Sequence, residues 1–453
     1  MGKKEILTLA TVLIAVVMFP VTLTGASVAL PDIRAAFGGD LAAAQWVVNG
    51  YNTTFAGFML ASGALADIVG RRRLFVAGTA VFVVGGLLSA AAPSLLVLDL
   101  LRVLAGIGAS AAGTSAMAIL SASFEGAARA RAFSLFGTAI GFGLAFGPSL
   151  SSALLSGLGW RSVFWLPAAV GVVALALSPL LPESRAQGRR VDWPGTVTFT
   201  GGLLLVIAGF VEGPSLGWAH PVVIGAFALG VALLGAFAVV ERRMADPMFD
   251  LELLRNRRFL GAALAGAVFV FVLVPLLVYL PSYMTAVLGM TVGEAGVMLL
   301  FLTVPILVMP LLVGQLARRV PATALVLGAL VVVGLGVVLM AAADESLAVP
   351  LLVVGLGVGA STGLVDGVAL SSAPVERSGV ASGMFGTSRL AFETVGIGII
   401  GSIIASGTGG TLAGPGYPGA LQASLWLMAG AVVLVTALFV LVSRRPVAVA
   451  VAV

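Results

Sequence analysis

The sequence predicts an all-α integral membrane fold of fourteen spans: two six-helix bundles with two additional helices between them. Three observations carry this. First, the 453 residues are 60% hydrophobic and only 9% charged, with a mean hydropathy of +1.16, whereas a soluble domain is roughly 45–50% apolar and about 25% charged. A soluble fold has no place to hide that much apolar surface. Second, apolar runs of about twenty residues recur along the chain, the length one helix needs to cross a bilayer. A β-barrel would alternate in roughly ten-residue segments instead. Third, the few charges segregate by side of the membrane.

Read between breakers, the first six spans fall near 6–30, 43–66, 74–94, 96–120, 132–156 and 161–182. Two more follow at 195–213 and 221–240, and the last six at 260–286, 291–314, 321–342, 348–371, 382–406 and 419–442. The first run is too long for a signal-peptide core and reads as a span. With the N-terminus inside, 20 of the 24 basic residues lie on inner loops or inner termini, as the positive-inside rule requires. Arg34 and Arg161 fall outside, and Arg102 and Arg389 fall within spans. Both termini are therefore expected on the cytoplasmic side of the cell membrane.

The longest hydrophilic stretches, Pro182–Asp192 and Glu241–Arg258, are both inner loops. They divide the chain into a six-helix bundle (1–184), a linker with two additional spans (185–258) and a second six-helix bundle (259–453). An internal echo supports equivalent halves: Gly63-Ala-Leu-Ala-Asp67 after span two, and Gly314-Gln-Leu-Ala-Arg318 at the matching place in the last six. Paired bundles around a midplane site are the architecture of many secondary transporters.

Several functions are excluded or disfavoured. The chain has no cysteine and one histidine, His220, so it has no disulfide, thiolate metal site or histidine cluster. Its only lysines are Lys3 and Lys4, so no phosphate-binding G-x-x-x-x-G-K-[ST] loop can be written. Uphill transport would draw on an ion gradient or a separate ATPase subunit. No nucleophile–base pair is visible, and no enzyme activity, cofactor or nucleic-acid partner is expected. Arginine far above lysine in an Ala-, Gly- and Val-rich chain points to a bacterial source.

The loop Gly63-Ala-Leu-Ala-Asp67-Ile-Val-Gly70-Arg71-Arg72-Arg73 resembles the inner-loop signature of the major facilitator superfamily. Leu101-Arg102-Val-Leu-Ala105-Gly106 resembles that family's span-four arginine motif. Gly143-Leu-Ala-Phe-Gly147-Pro148 resembles its antiporter motif on span five. Ala29-Leu-Pro31-Asp32, Gln45-Trp46, Pro182-Glu-Ser-Arg185 and Val380-Ala-Ser-Gly383 with Ser388-Arg389 are similar to the fourteen-span drug/proton antiporters. There are departures: Ile68 stands where a basic residue is usual, Ala105 where a glutamine is, and the C-terminal echo lacks an aspartate.

Charges within spans mark the candidate site, because each is costly in a bilayer. The resemblance implies that Asp32, at the outer end of span one, takes part in proton or cation binding; position alone allows plain solvation. Arg102 has Asp99 three residues away as its local partner, and the resemblance implies that it modulates a carboxylate such as Asp32. Glu393 is a second coupling candidate, with Arg389 one turn earlier as a local neutralising pair. Asp366 has no basic neighbour in sequence and is the third. Gln45, Asn49 and Asn52 form one amide face of span two, lining a cavity or bonding helix to helix. Gly63, Asp67, Gly70, Arg71 and Arg72 form the inner-gate motif, in which Asp67 can accept from helix-terminal N–H groups or pair with the arginines. Gly143, Gly147 and Pro148 permit close packing and a bend. Glu212 and His220 are expected to be solvated.

The expected function is a monomeric, proton-coupled antiporter exporting small hydrophobic or cationic compounds by alternating access, with protons and the lipid bilayer as its other partners. The alternatives are a dedicated exporter of one endogenous product, or a non-transporting membrane scaffold or sensor.

Overall fold

Helix starts are written into the sequence as caps. Ser94 accepts from the Val97 N–H, Asn256 from the N–H groups of Arg258 and Phe259, and Asp192 from that of Gly195; Thr291 and Glu294 form a reciprocal capping box. The computed structural model describes residues 2–38, 41–185, 192–243, 251–342, 346–408 and 414–443. The topogenic arginines Arg189, Arg190, Arg444 and Arg445 lie outside the described residues.

The first part of the chain forms α1 (Lys3–Val16), α2 (Met18–Phe37), α3 (Leu41–Val69), α4 (Arg71–Ala90), α5 (Leu95–Ser123), α6 (Gly126–Leu158) and α7 (Ser162–Leu177). The middle forms α8 (Trp193–Leu216), α9 (Pro221–Glu241) and the short α10 (Leu251–Arg255). The last part forms α11 (Arg257–Ala286), α12 (Val292–Leu316), α13 (Ala322–Ala342), α14 (Ala348–Ser361), α15 (Leu364–Ser371), α16 (Ser378–Thr408) and α17 (Tyr417–Ser443).

Among the described residues, 13 helical stretches are long and apolar enough to cross a membrane. The expected second span is a helix of 29 residues, α3, about 43 Å at 1.5 Å per residue. It stands outside those thirteen because Asn49, Asn52, Thr53 and Thr54 lower its apolarity. Two expected spans are divided. The first is marked only by Val17 between α1 and α2, whose backbone stays helical at φ −60° and ψ −25°. The twelfth breaks at Thr362-Gly363 between α14 and α15, where Gly363 takes a φ of +77° that disfavours any residue with a Cβ.

In the first part, α5 packs on α3 and α4, and α2 on α6 and α7; in the last, α11 packs on α16 and α17, and α14 on α12 and α13. The α8–α9 hairpin is laid so that α8 touches both α3 and α16. The two parts meet directly through α3–α16, α5–α16, α6–α12 and α6–α15. These crossings are lined by glycine at the end of the molecule that bears Arg71–Arg73. At Gly63 an added Cβ would strike the backbone carbonyl of Gly379, and at Gly137 that of Thr362. Gly314, in the C-terminal echo of the loop motif, lies against Ser134 of α6.

Candidate functional site

The strongest polar constellation sits at the arginine-rich end. Asp67, in the last turn of α3, is fully buried, and Arg71, in the first turn of α4, is 2% exposed. Arg71 donates to Asp67 Oδ1 from Nε at 3.2 Å and from Nη2 at 3.0 Å. The same carboxylate also reaches α16: Oδ1 accepts from the Gly379 N–H and Oδ2 from the Val380 N–H, both at 3.0 Å. Those groups belong to the first turn of α16, where unsatisfied N–H groups and the helix dipole favour an anion. Arg71 also donates to the Val375 carbonyl and, at 3.2 Å, to Ser184 Oγ.

The turn that presents Arg71 depends on Gly70, at φ +116°. Its missing Cβ leaves room for the carboxylate of Glu183, which accepts from the Arg72 N–H at 3.2 Å and lies 3.9 Å and 3.7 Å from the Arg72 and Arg73 guanidinium groups. Close by, Ser382 Oγ of α16 donates to the Thr114 carbonyl of α5 at 3.1 Å. Asp67 thus does both things expected of it. The partners in the Glu183-Ser184 stretch, Val375 and Gly379–Val380 were not foreseen, although the Pro182–Arg185 and Val380–Gly383 stretches stood out as motifs.

Arg102 is also buried, but its expected partnership with Asp99 is not formed. The guanidinium stacks over the Tyr51 ring at 4.4 Å and near Phe164 at 5.4 Å, and Nε donates to the Val47 carbonyl at 2.8 Å. Among the described residues, Arg102 Nη2 and Asp99 Oδ1 are buried without a hydrogen-bond partner. Two aromatic faces and a backbone carbonyl 55 residues away outcompete the neighbour one turn distant, because a planar guanidinium stacks well in apolar surroundings.

On α16 and α15 the pairing also differs from expectation. Asp366 is not unpaired: Arg389 Nη1 donates to its Oδ1 at 3.0 Å, and Oδ2 accepts from the Gly363 N–H at 3.0 Å. Asp366 therefore caps α15 immediately after the break and ties it to α16. Because Arg389 turns to Asp366, the expected Arg389–Glu393 pair is absent. Glu393 is 9% exposed and, among the described residues, makes no hydrogen bond or ion pair. It shares a helix face with Gly396, which packs on Phe271 and Pro275 of α11.

Asp32 is exposed near the end of α2 opposite the arginine-rich end, and among the described residues no hydrogen bond or ion pair joins it to the buried Arg102. Gln45 is exposed, with Asn49 and Asn52 half-buried one and two turns deeper. Gly143 lies against Pro20 and the Val17 carbonyl, at the α1–α2 junction, and Gly147 lies against Thr24. Pro148 stands within an unbroken α6. Glu212 is not simply solvated: it accepts from Trp46 Nε1 at 2.7 Å, joining α8 to α3. His220 caps α9 through the Val222 N–H at 3.3 Å.

A family model described as Major Facilitator Superfamily matches residues 12–396. Multidrug resistance protein Stp of Mycobacterium tuberculosis is 31% identical over 423 residues, 91% of this chain and 78% of that protein. Puromycin resistance protein pur8 of Streptomyces alboniger is 31% identical over 405 residues, 87% of this chain and 80% of that protein. The crystal structure of the human organic anion transporter MFSD10 (TETRAN) superposes with a TM-score of 0.70 over 97% of this chain and 100% of that one, at 16% identity, which speaks for the fold alone. With a matched model over most of its length and relatives named for drug resistance, this multi-pass membrane protein is a transporter rather than an enzyme, and it belongs to the Major Facilitator Superfamily.

Proposed function

We propose that the chain is a proton-coupled antiporter that exports hydrophobic or cationic compounds across the cytoplasmic membrane by alternating access. It acts as a monomer, with fourteen spans including α3 and with both termini in the cytoplasm. In this reading residues 1–184 and 259–453 are the two moving bundles and 185–258 carries the additional pair of helices. The observation that carries the reading is the Asp67 clasp on Gly379 and Val380. In this reading the clasp closes the arginine-rich end, taken as cytoplasmic, while Asp32 and Gln45 are exposed at the opposite end.

In this reading the form is outward-facing: a proton arrives at Asp32, and a second carboxylate, Glu393, waits in the interior with no hydrogen bond among the described residues. Loading a proton there removes the penalty of carrying a buried charge through the transition. Parting the Asp67 clasp then opens the cytoplasmic side.

The test is substrate-driven proton movement in proteoliposomes. Asp32→Asn combined with Glu393→Gln is expected to abolish it, and intact proton movement in that variant would overturn the coupling assignment. A dedicated exporter of one compound is the second reading, favoured by relatives named for a single antibiotic, such as pur8. A panel of lipophilic cations, neutral drugs and lipids separates the two: a broad profile supports the first and a single transported compound the second.

A further inference from the structure

Where α8 covers the seam between α3 and α16, the structure leaves a partly open cavity of about 150 Å³, similar in size to an apolar cavity elsewhere that takes up a benzene ring. Its walls come from five helices: Leu60 of α3, Phe199 of α8, Leu254 of α10, Phe259 of α11, and Met384 and Thr387 of α16. No charged side chain lines it. Phe199 and Leu254 are half-buried and the other four are buried, so the cavity reaches the surface on the side of α8 and α10.

Two hydroxyls reach this apolar space: that of Ser388 is already used, donating to the Phe385 carbonyl at 2.7 Å, and that of Thr387 is not. Thr387 is 6% exposed, and among the described residues its Oγ1 has no hydrogen-bond partner. Thr394 and Thr408 on the same helix donate to the carbonyl four residues back, at 3.0 Å and 2.8 Å; Thr387 does not. A buried hydroxyl left unpaired is unfavourable, and an apolar wall with one convergent polar group is the usual chemistry of a small-molecule site.

We propose that this cavity binds a neutral lipophilic compound, seating an aromatic ring among Phe199, Phe259 and Met384 with one hydrogen-bond acceptor on Thr387 Oγ1. Without a carboxylate in its lining, it selects neutral molecules over cations. Leu60 and Met384 lie on the two helices that must separate for the arginine-rich end to open, so a ligand here sits at the threshold of the translocation path. That use as an entry point rests on the export reading; the binding itself does not.

The probe is benzophenone, which carries one carbonyl and on irradiation inserts into nearby C–H bonds. In purified protein reconstituted in nanodiscs, with no ion gradient, adducts are expected on the peptides bearing Met384 and Phe199. Thr387→Val, which removes the hydroxyl but keeps the shape, is expected to cut this labelling roughly tenfold. Ala263→Leu, which fills the cavity from α11, is expected to abolish it. Each variant is compared with wild type for gel-filtration behaviour. Adducts elsewhere, or labelling unchanged in both variants, would overturn the site. Labelling as expected in a protein that moves no proton or drug in proteoliposomes would sink the export reading and leave the site standing.

Discussion

Asp67 holds three groups with two oxygens: the Arg71 guanidinium and the N–H groups of Gly379 and Val380. Removing one member of a buried ion pair costs about 3–5 kcal/mol. Asp67→Asn is therefore expected to loosen the closed end without unfolding the chain. Because the protein has no cysteine, Ser382→Cys supplies a clean reporter beside the clasp, and its maleimide labelling should accelerate at least threefold when Asp67→Asn is added. Equal rates would remove Asp67 from the closure. A second prediction concerns Arg102, which stacks on Tyr51 and donates to Val47. Arg102→Lys gives up the planar stack and the Nε bond, a loss of about 1–3 kcal/mol, visible as a lower apparent Tm in a thermal scan; Tyr51→Leu should shift it the same way. That an arginine sat inside a span was legible in the sequence. Its preference for Tyr51 over Asp99 was not, since helical register places Asp99 nearby while Tyr51 arrives only through packing of α3 on α5.

The interrupted α14–α15 element was read from sequence as one continuous span, because Thr362-Gly363 looks like any other small pair in a chain with 59 glycines. What gives it meaning is spatial: the Phe133 carbonyl of α6 occupies the place of a Gly363 side chain, and Asp366 caps the restarted helix while holding Arg389. Arg389→Gln leaves the buried Asp366 carboxylate without its cation and Asp366→Asn leaves the half-buried Arg389 without its carboxylate, whereas the double variant removes both members of the pair. The apparent Tm of each single variant is expected to fall below that of the double; a double variant equal to the sum of the singles would show that the pair is not coupled. Glu393 gains its distinction from the same geometry. Sequence spacing offered it Arg389 at one turn, and the structure gives Arg389 to another helix.

At the scale of the whole molecule, the long apolar helices were legible because bilayer crossing imposes length and apolarity residue by residue. Which helices cross between the bundles was not, because glycine-lined crossings depend on backbones approaching closely from distant parts of the chain. The seam itself can be tested by locking it. Thr114→Cys with Ser382→Cys puts a thiol on each of the two residues whose backbone carbonyl and hydroxyl now meet across α5 and α16. Oxidation is expected to stop drug efflux and reduction to restore it; efflux that continues in fully cross-linked protein would mean that this end need not open.

The placement of α8 turns what looks like a hinge between two bodies into a problem of three. It touches α3 and α16 at once, so any movement that parts those two must strip α8 from one of them. The Trp46–Glu212 bond fastens it to α3, while Phe210 merely rests on the smooth surface at Gly398. If the clasped end parts as proposed, α8 must give up its contacts with one of these two helices, and the Trp46–Glu212 bond favours its staying with α3.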